Sequence, residues 1–218
     1  MRWIDVTGCP GSGKSALCDP LWAPHAIHWT GDGLGVPAEW DDFLEVCDSL
    51  LKELEDHPTF HLLTGMTKRS LRKMATVYRM PDDGPIYIQT GLAQRGLGFG
   101  WRLEERGRTE MLRKFYQLMP VSLGVALVNC PVDAAIIRNQ QREYKAETAH
   151  ENREHMVPLM QRPIQIMLEE LYARDVPVAQ IDATKPLEEA RRDLLRFAAE
   201  RAAKASSPRL DTEMAAVL

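Results

Sequence analysis

The chain has 218 residues, 44% of them hydrophobic and 27% charged, and carries a net charge of −4. That length suits one sizeable α/β domain, and the charge excludes a uniformly basic nucleic-acid binder. Cys9, Cys18, Cys47 and Cys130 have no C-x-x-C spacing, so neither a disulfide framework nor a zinc knuckle is expected. The expected setting is a reducing cytoplasm, with no signal peptide before the first strand and no membrane span.

The first predicted strand covers residues 2–7. It runs directly into Gly8-Cys9-Pro10-Gly11-Ser12-Gly13-Lys14-Ser15, a complete G-x-x-x-x-G-K-[ST] loop. In such a loop the backbone N–H groups wrap phosphates, the lysine reaches the β- and γ-phosphates, and the hydroxyl ligates Mg²⁺. Gly8, Gly11, Ser12, Gly13, Lys14, Ser15 and Ala16 are therefore the predicted nucleotide contacts, with ATP and Mg²⁺ as cofactors. A second strand is expected over 26–30, ending in Gly31-Asp32-Gly33. In residues 37–58, Trp40, Phe43, Leu44, Cys47, Leu50, Leu51 and Leu54 recur at helical spacing.

A further helix is predicted over 62–78, and a strand over 85–90 that ends in Gln89-Thr90. After it comes "GLAQRGLGFGWR", residues 91–102, read as a glycine-rich approach to an acceptor site or a moving loop. Then follow a helix over 103–118, a strand over 121–129, helices over 132–144 and 153–173, a strand over 176–182 and a helix over 187–203. Strands alternating with helices imply a parallel sheet covered on both faces. Residues 204–218 read as a frayed tail. His57 and His61, like His150 and His155, have no further ligands in view and predict no metal site.

Charge is unevenly placed. Residues 32–56 carry nine acids against Lys52, a local charge of −8, whereas residues 68–114 carry eleven bases against five acids, a local charge of +6. A basic stretch of that size can attract a polyanion although the whole chain is acidic. On a helix, Arg69, Arg72, Lys73 and Thr76 share one stripe, and Trp101, Phe99 and Tyr78 are candidates to stack on a base. The bland alternative is a solvated basic helix with aromatics in the core.

The phosphate loop and the order of elements resemble the P-loop kinases of nucleosides, nucleotides and small metabolites, over about residues 1–200. The resemblance implies a three-layer α/β fold, five parallel strands in the order 2-3-1-4-5, and helices on both faces. It implies one domain over 1–203 with a helical lid at about 131–152. Such enzymes carry an acid at the end of the third predicted strand, where this chain has Gln89 and Thr90. Asp32 resembles the "GD" acid of small-metabolite kinases, which accepts the proton of the attacking hydroxyl and is a possible Mg²⁺ contact through water. A turn between two glycines is the alternative for Asp32.

Arg138 and Arg142, four apart on one helix face, resemble the lid arginines that clamp the moving phosphoryl group, with Arg153 as a possible third. Asp182 and Thr184, after the last strand, stand where related kinases pack the adenine. The resemblance thus implies Lys14, Asp32, Arg138 and Arg142 as catalytic residues; together with the basic stripe and the aromatics, the expected acceptor contacts are Asp32, Arg69, Arg72, Lys73, Gln89, Gln94, Arg95 and Trp101. In layout and in Gln94-Arg95-Gly96-Leu97 the chain is also similar to phage kinases of 5-hydroxymethyluracil in DNA, which implies a modified pyrimidine in DNA as acceptor and a host cytoplasm. The alternatives are a kinase of a free nucleoside, nucleotide or small metabolite, a non-catalytic nucleotide-binding regulator, and a sulfotransferase of the same fold.

Overall fold

The computed structural model describes residues 3–18, 37–79, 85–89, 91–121, 123–141 and 153–206. β1 (Trp3–Thr7) is buried along its whole length, as a central strand covered on both faces must be. Its side chains alternate: Trp3, Asp5 and Thr7 face one layer, Ile4 and Val6 the other. It pairs in parallel with β2 (Ile86–Gln89) and with β3 (Gly124–Asn129), and β3 pairs with β4 (Val178–Asp182). The described sheet therefore has four parallel strands in the order β2-β1-β3-β4. These are the third, first, fourth and fifth predicted strands, in the expected order. The predicted strand at 26–30 lies outside the described residues.

Two cores follow from the alternation. On one face Ile4, Val6, Ala126, Val128 and Ile181 pack against α1 (Lys14–Cys18) and α9 (Leu187–Ser206). On the other, Trp3, Ile88, Val125 and Leu127 pack against a thicker layer. That layer holds α2 (Asp41–Glu53), α3 (Phe60–Arg79), α4 (Leu92–Glu105), α5 (Leu112–Leu118), α7 (Arg153–Leu159) and α8 (Gln161–Ala173). α6 (Val132–Gln140) follows β3 directly. No described helix is long and apolar enough to cross a membrane.

Four features differ from the sequence expectation. Residues 92–105 are a helix and not a loop, and the predicted helix over 103–118 is divided. The division is at Gly107, whose φ is +65°. Its N–H bonds the Glu104 carbonyl at 2.9 Å and Arg108 N–H bonds the Leu103 carbonyl at 2.8 Å, the paired bonds of a left-handed helix stop. The predicted helix over 153–173 breaks at Met160, with Pro158 and Pro163 on either side removing two N–H donors. α9 continues to Ser206, so its last turn includes residues expected in the tail.

Candidate active site

The loop after β1 is built for an anion. Gly11 and Gly13 have φ of +80° and +98°, which only glycine adopts without strain. A Cβ at Gly11 would also lie 2.2 Å from the Ala135 carbonyl oxygen, so the loop rests on the start of α6. Lys14 curls back over it. Its ammonium donates to the carbonyls of Gly8 at 2.7 Å and Cys9 at 2.8 Å. Arg191 of α9 donates to the Ala16 carbonyl at 3.0 Å and ties α1 to its neighbour on the same face of the sheet. This cradle, with its glycines, lysine and Ser15 hydroxyl, fits a triphosphate. Mg²⁺ commonly keeps several waters and takes only one or two protein oxygens, and the Ser15 hydroxyl would be the one to offer it here. Among the described residues no group of three metal-ligating side chains comes together.

The opposite wall is held by two glutamines. Gln89, at the end of β2, donates from Nε2 to Ser15 Oγ at 2.7 Å. Gln94, in the first turn of α4, accepts at Oε1 from Gly8 N–H at 3.2 Å and from the Thr7 hydroxyl at 3.3 Å. Both neutral amides thus brace the loop, and Gln89 does so from the position where an acid was expected from related enzymes. Lys73 does not share the outer stripe of Arg69 and Arg72. It turns inward and donates to the Gln89 carbonyl at 3.1 Å, while Arg69 and Arg72 stay exposed. Burial pulls its ammonium below the usual lysine range.

Beneath the glutamines lies Asp5, only 3% exposed. Its Oδ2 accepts from Ala93 N–H at 2.8 Å, at the N-terminus of α4, and its Oδ1 meets no hydrogen-bond partner among the described residues. Burial pushes the carboxyl up to about 6, opposed by the Ala93 N–H and by the charges of Lys73 and Arg95. A Cβ at Gly91 would lie 2.5 Å from Asp5 Oδ2, so glycine is required there for contact between the helix start and the strand.

At the other end, Arg138 of α6 donates to the Ala183 carbonyl at 2.9 Å and its guanidinium comes within 3.9 Å of a Cβ built on Gly13. Asp182 accepts from both the N–H and the hydroxyl of Thr184, at 2.8 and 2.7 Å, which fixes the turn after β4 and holds its carboxyl below the ordinary range. Beside this turn a cleft of about 650 Å³ is lined by Asn129, Cys130, Val132, Gln161, Gln180 and Asp182, among others.

The chain has the fold of deoxyadenosine kinase structures. It is similar to deoxyadenosine kinase from M. mycoides with bound dATP at 14% identity and a TM-score of 0.55, covering 89% of this chain and 98% of that one. The same enzyme with the products dcmp and a flexible dcdp gives 13% identity, a TM-score of 0.54, and 89% and 97% coverage. With bound dCTP it gives 14%, 0.52, and 90% and 97%. No family profile matches the chain, and no curated protein matches its sequence.

Within that fold the structure brings together Gly8, Gly11, Ser12, Gly13, Lys14, Ser15, Gln89 and Gln94, with Arg138 beside Gly13. Asp32, Thr90 and Arg142 lie outside the described residues, and Arg153 opens α7. Trp101 and Phe99 are corrected. Trp101 is 6% exposed, edge-on to His57 and under the Arg102 guanidinium at 4.2 Å, and Phe99 is sealed against Phe115. Neither ring has a free face for a base, because α4 is buried almost all round. Tyr78 is exposed, edge-on to Trp40, with its hydroxyl bonded to Glu39. Arg95 is buried beside Asp5 and is not part of an exposed acceptor surface.

The local +6 charge is also redistributed by folding. Arg106 pairs with Asp56 at 2.7 Å and Arg108 with Glu53, which belong to the acidic stretch. Arg113 pairs with Glu110, Glu169 and Glu170. Asp5 and the inward course of Lys73 were missed at the sequence level. A carboxylate in the middle of "WIDVT" was the one signal for the former.

Proposed function

We propose that the protein is an ATP-dependent kinase that transfers the γ-phosphoryl group to a hydroxyl of a free nucleoside or nucleotide. The observation that carries this reading is the double brace of the phosphate loop: Gln94 on Gly8 and Gln89 on Ser15 join the donor loop to the elements that form the acceptor side. The fold supports it, since the structures of this fold include a deoxyadenosine kinase with nucleotides bound. Phosphoryl transfer depends mainly on positioning and charge neutralisation, which this frame supplies through Lys14, Ser15 and Arg138. Asp32 is the proposed base and Arg142 the proposed second lid arginine; Asp182 and Thr184 flank the proposed adenine end. A regulator without phosphotransfer and a sulfotransferase are less well supported, because a lysine and hydroxyl set in an intact loop suit a nucleoside triphosphate.

A second reading keeps 5-hydroxymethyluracil in DNA as the acceptor. The observation favouring it is the exposed row Lys68, Arg69 and Arg72 on α3. The deciding experiment offers labelled ATP with deoxynucleosides, deoxynucleoside monophosphates, the hydroxymethyluracil nucleotide, DNA containing that base, and unmodified DNA. Transfer to a free acceptor is expected. Transfer to modified DNA alone would replace the first reading with the second, and no transfer to any acceptor would leave the regulator. Lys14→Ala is expected to abolish transfer in a folded protein, checked by circular dichroism alongside the assay.

A further inference from the structure

The phosphate loop is flanked by a second reactive group that phosphoryl transfer does not use. The first half of the loop lies against the end of β3 and the first turn of α6. A Cβ at Gly8 would fall 2.5 Å from the Val128 carbonyl oxygen, and one at Gly11 would fall 2.2 Å from that of Ala135. Cys9 sits between those two contacts, and Cys130 sits in the turn between the strand and helix they touch. The two thiols meet in a side-chain hydrogen bond. Their surroundings differ. Cys9 is buried, whereas Cys130 is half-buried and lines the cleft beside β4. The Cys9 hydrogen bond, with the charges of Arg138 and Lys14, holds the Cys130 thiol below the ordinary range. That same bond and burial push Cys9 up, so Cys130 is both the more acidic and the more accessible of the two thiols. Cys47 shows the contrast: buried among apolar side chains, its thiol is pushed up to about 12.

We propose that Cys130 and Cys9 form an oxidisable dithiol whose disulfide disables the phosphate loop. Hydroperoxides are the oxidant class. The Cys130 sulfur attacks one peroxide oxygen, the O–O bond breaks, and an alcohol (water, from hydrogen peroxide) leaves with the sulfur as a sulfenic acid. Cys9 then attacks that sulfur, the S–S bond forms, the S–O bond breaks, and the Cys9 proton departs with the hydroxide as water. Two thiols lose two electrons and two protons, and the peroxide gains them. A thiol reductant reverses the change by exchange.

The consequence for nucleotide rests on the donor-site reading above. A disulfide holds its sulfurs about 2.05 Å apart, closer than a hydrogen bond between thiols. Closing it drags Cys9 toward β3. The Cys9 carbonyl now accepts from both Ser12 N–H at 3.2 Å and the Lys14 ammonium at 2.8 Å. Moving that peptide therefore displaces the turn and the lysine together.

The test uses the full chain. Reduced protein is treated with hydrogen peroxide, digested without reductant and mapped by mass spectrometry, and its ATP affinity is measured before and after. A Cys9–Cys130 disulfide is expected, with ATP affinity lowered roughly 10-fold or more by the misaligned cradle and restored by dithiothreitol. In C9S the oxidation should stop at a sulfenic acid on residue 130 that dimedone traps, and in C130S neither dimedone adduct nor disulfide should form. Linkage of other cysteines, a dimedone adduct that persists in C130S, or oxidised protein that binds ATP as the reduced protein does would each overturn the proposal. Mapping is independent of nucleotide. If reduced protein binds no ATP, the kinase reading fails, and the dithiol stands or falls on the mapped bond.

Discussion

A carboxyl group in a central strand is costly to ionise, and Asp5 keeps one there. Its neighbours from each packed element are Lys73 of α3, Arg95 and the Leu92 and Ala93 N–H groups of α4, and Tyr116 of α5, whose hydroxyl burial and Asp5 push up. Below pH 3.8 the group is protonated in both the folded and the unfolded chain and costs nothing. As pH rises toward about 6 the unfolded chain ionises first, so stability falls through that window and levels off above it. The full drop is about 3 kcal/mol for a shift of this size. Urea unfolding of wild type and Asp5→Asn at pH 4 and pH 7 checks it: wild-type stability relative to the variant should fall by that order, and a constant difference would mean that Asp5 is ionised throughout. The retained cost suits a residue that caps the helix presenting Gln94. Gln94→Leu leaves Gly8 N–H without its acceptor, a loss of about 1–3 kcal/mol for a buried donor, and calorimetry should find ATP affinity reduced by roughly tenfold or more. Neither role was legible in the sequence, because spacing along the chain does not tell which side chains meet across 88 residues, as Asp5 and Ala93 do.

α4 shows at the level of the element why part of the fold was legible and part was not. The strand-loop-helix unit at residues 3–18 could be read directly, since its glycines and lysine form one continuous motif. α4 could not. Gly96, Gly98 and Gly100 read as loop residues, yet in the helix two of them serve packing. A Cβ at Gly96 would lie 2.4 Å from the Tyr116 hydroxyl, and one at Gly100 would lie 2.5 Å from the Pro163 ring, whereas one at Gly98 would meet only Leu63 at 3.9 Å. The three positions therefore separate propensity from packing. Gly98→Ala should stabilise the protein by about 0.5–1 kcal/mol through helix propensity. Gly100→Ala gains the same propensity but forces a rigid proline ring aside, an overpacking cost of about 1–3 kcal/mol, so it should destabilise. Thermal unfolding of the two variants should shift in opposite directions, and a matching rise in both would show that α8 yields without cost.

At the scale of the molecule, folding cancels much of the charge asymmetry that the sequence displays. Glu53 and Asp56 of the acidic stretch take Arg108 and Arg106 of the basic one, and Arg113 is enclosed by three glutamates. Lys73 and Arg95 face inward. What α3 offers to solvent between residues 68 and 72 is three cations, Lys68, Arg69 and Arg72. This changes what can be expected of a polymeric acceptor. Each phosphate neutralised on duplex DNA contributes about −0.9 to the slope of log affinity against log salt. Three contacts limit the contribution of this row to about −2.7, well short of the six to ten phosphate contacts that make a specific DNA binder strongly salt-dependent. Binding of hydroxymethyluracil DNA, followed by anisotropy from low to physiological salt, should give a slope no steeper than about −3. Replacing Arg69 and Arg72 by glutamine should flatten it by about 2 while ATP affinity stays constant. A free nucleotide carries one phosphate group and should give almost no slope, with turnover insensitive to the double substitution. A steep slope that survives the substitution would place the DNA-binding surface elsewhere on the protein and restore the polymer as acceptor. A shallow slope with unimpaired transfer to free nucleotide would identify the α3 row as an ordinary solvated helix face.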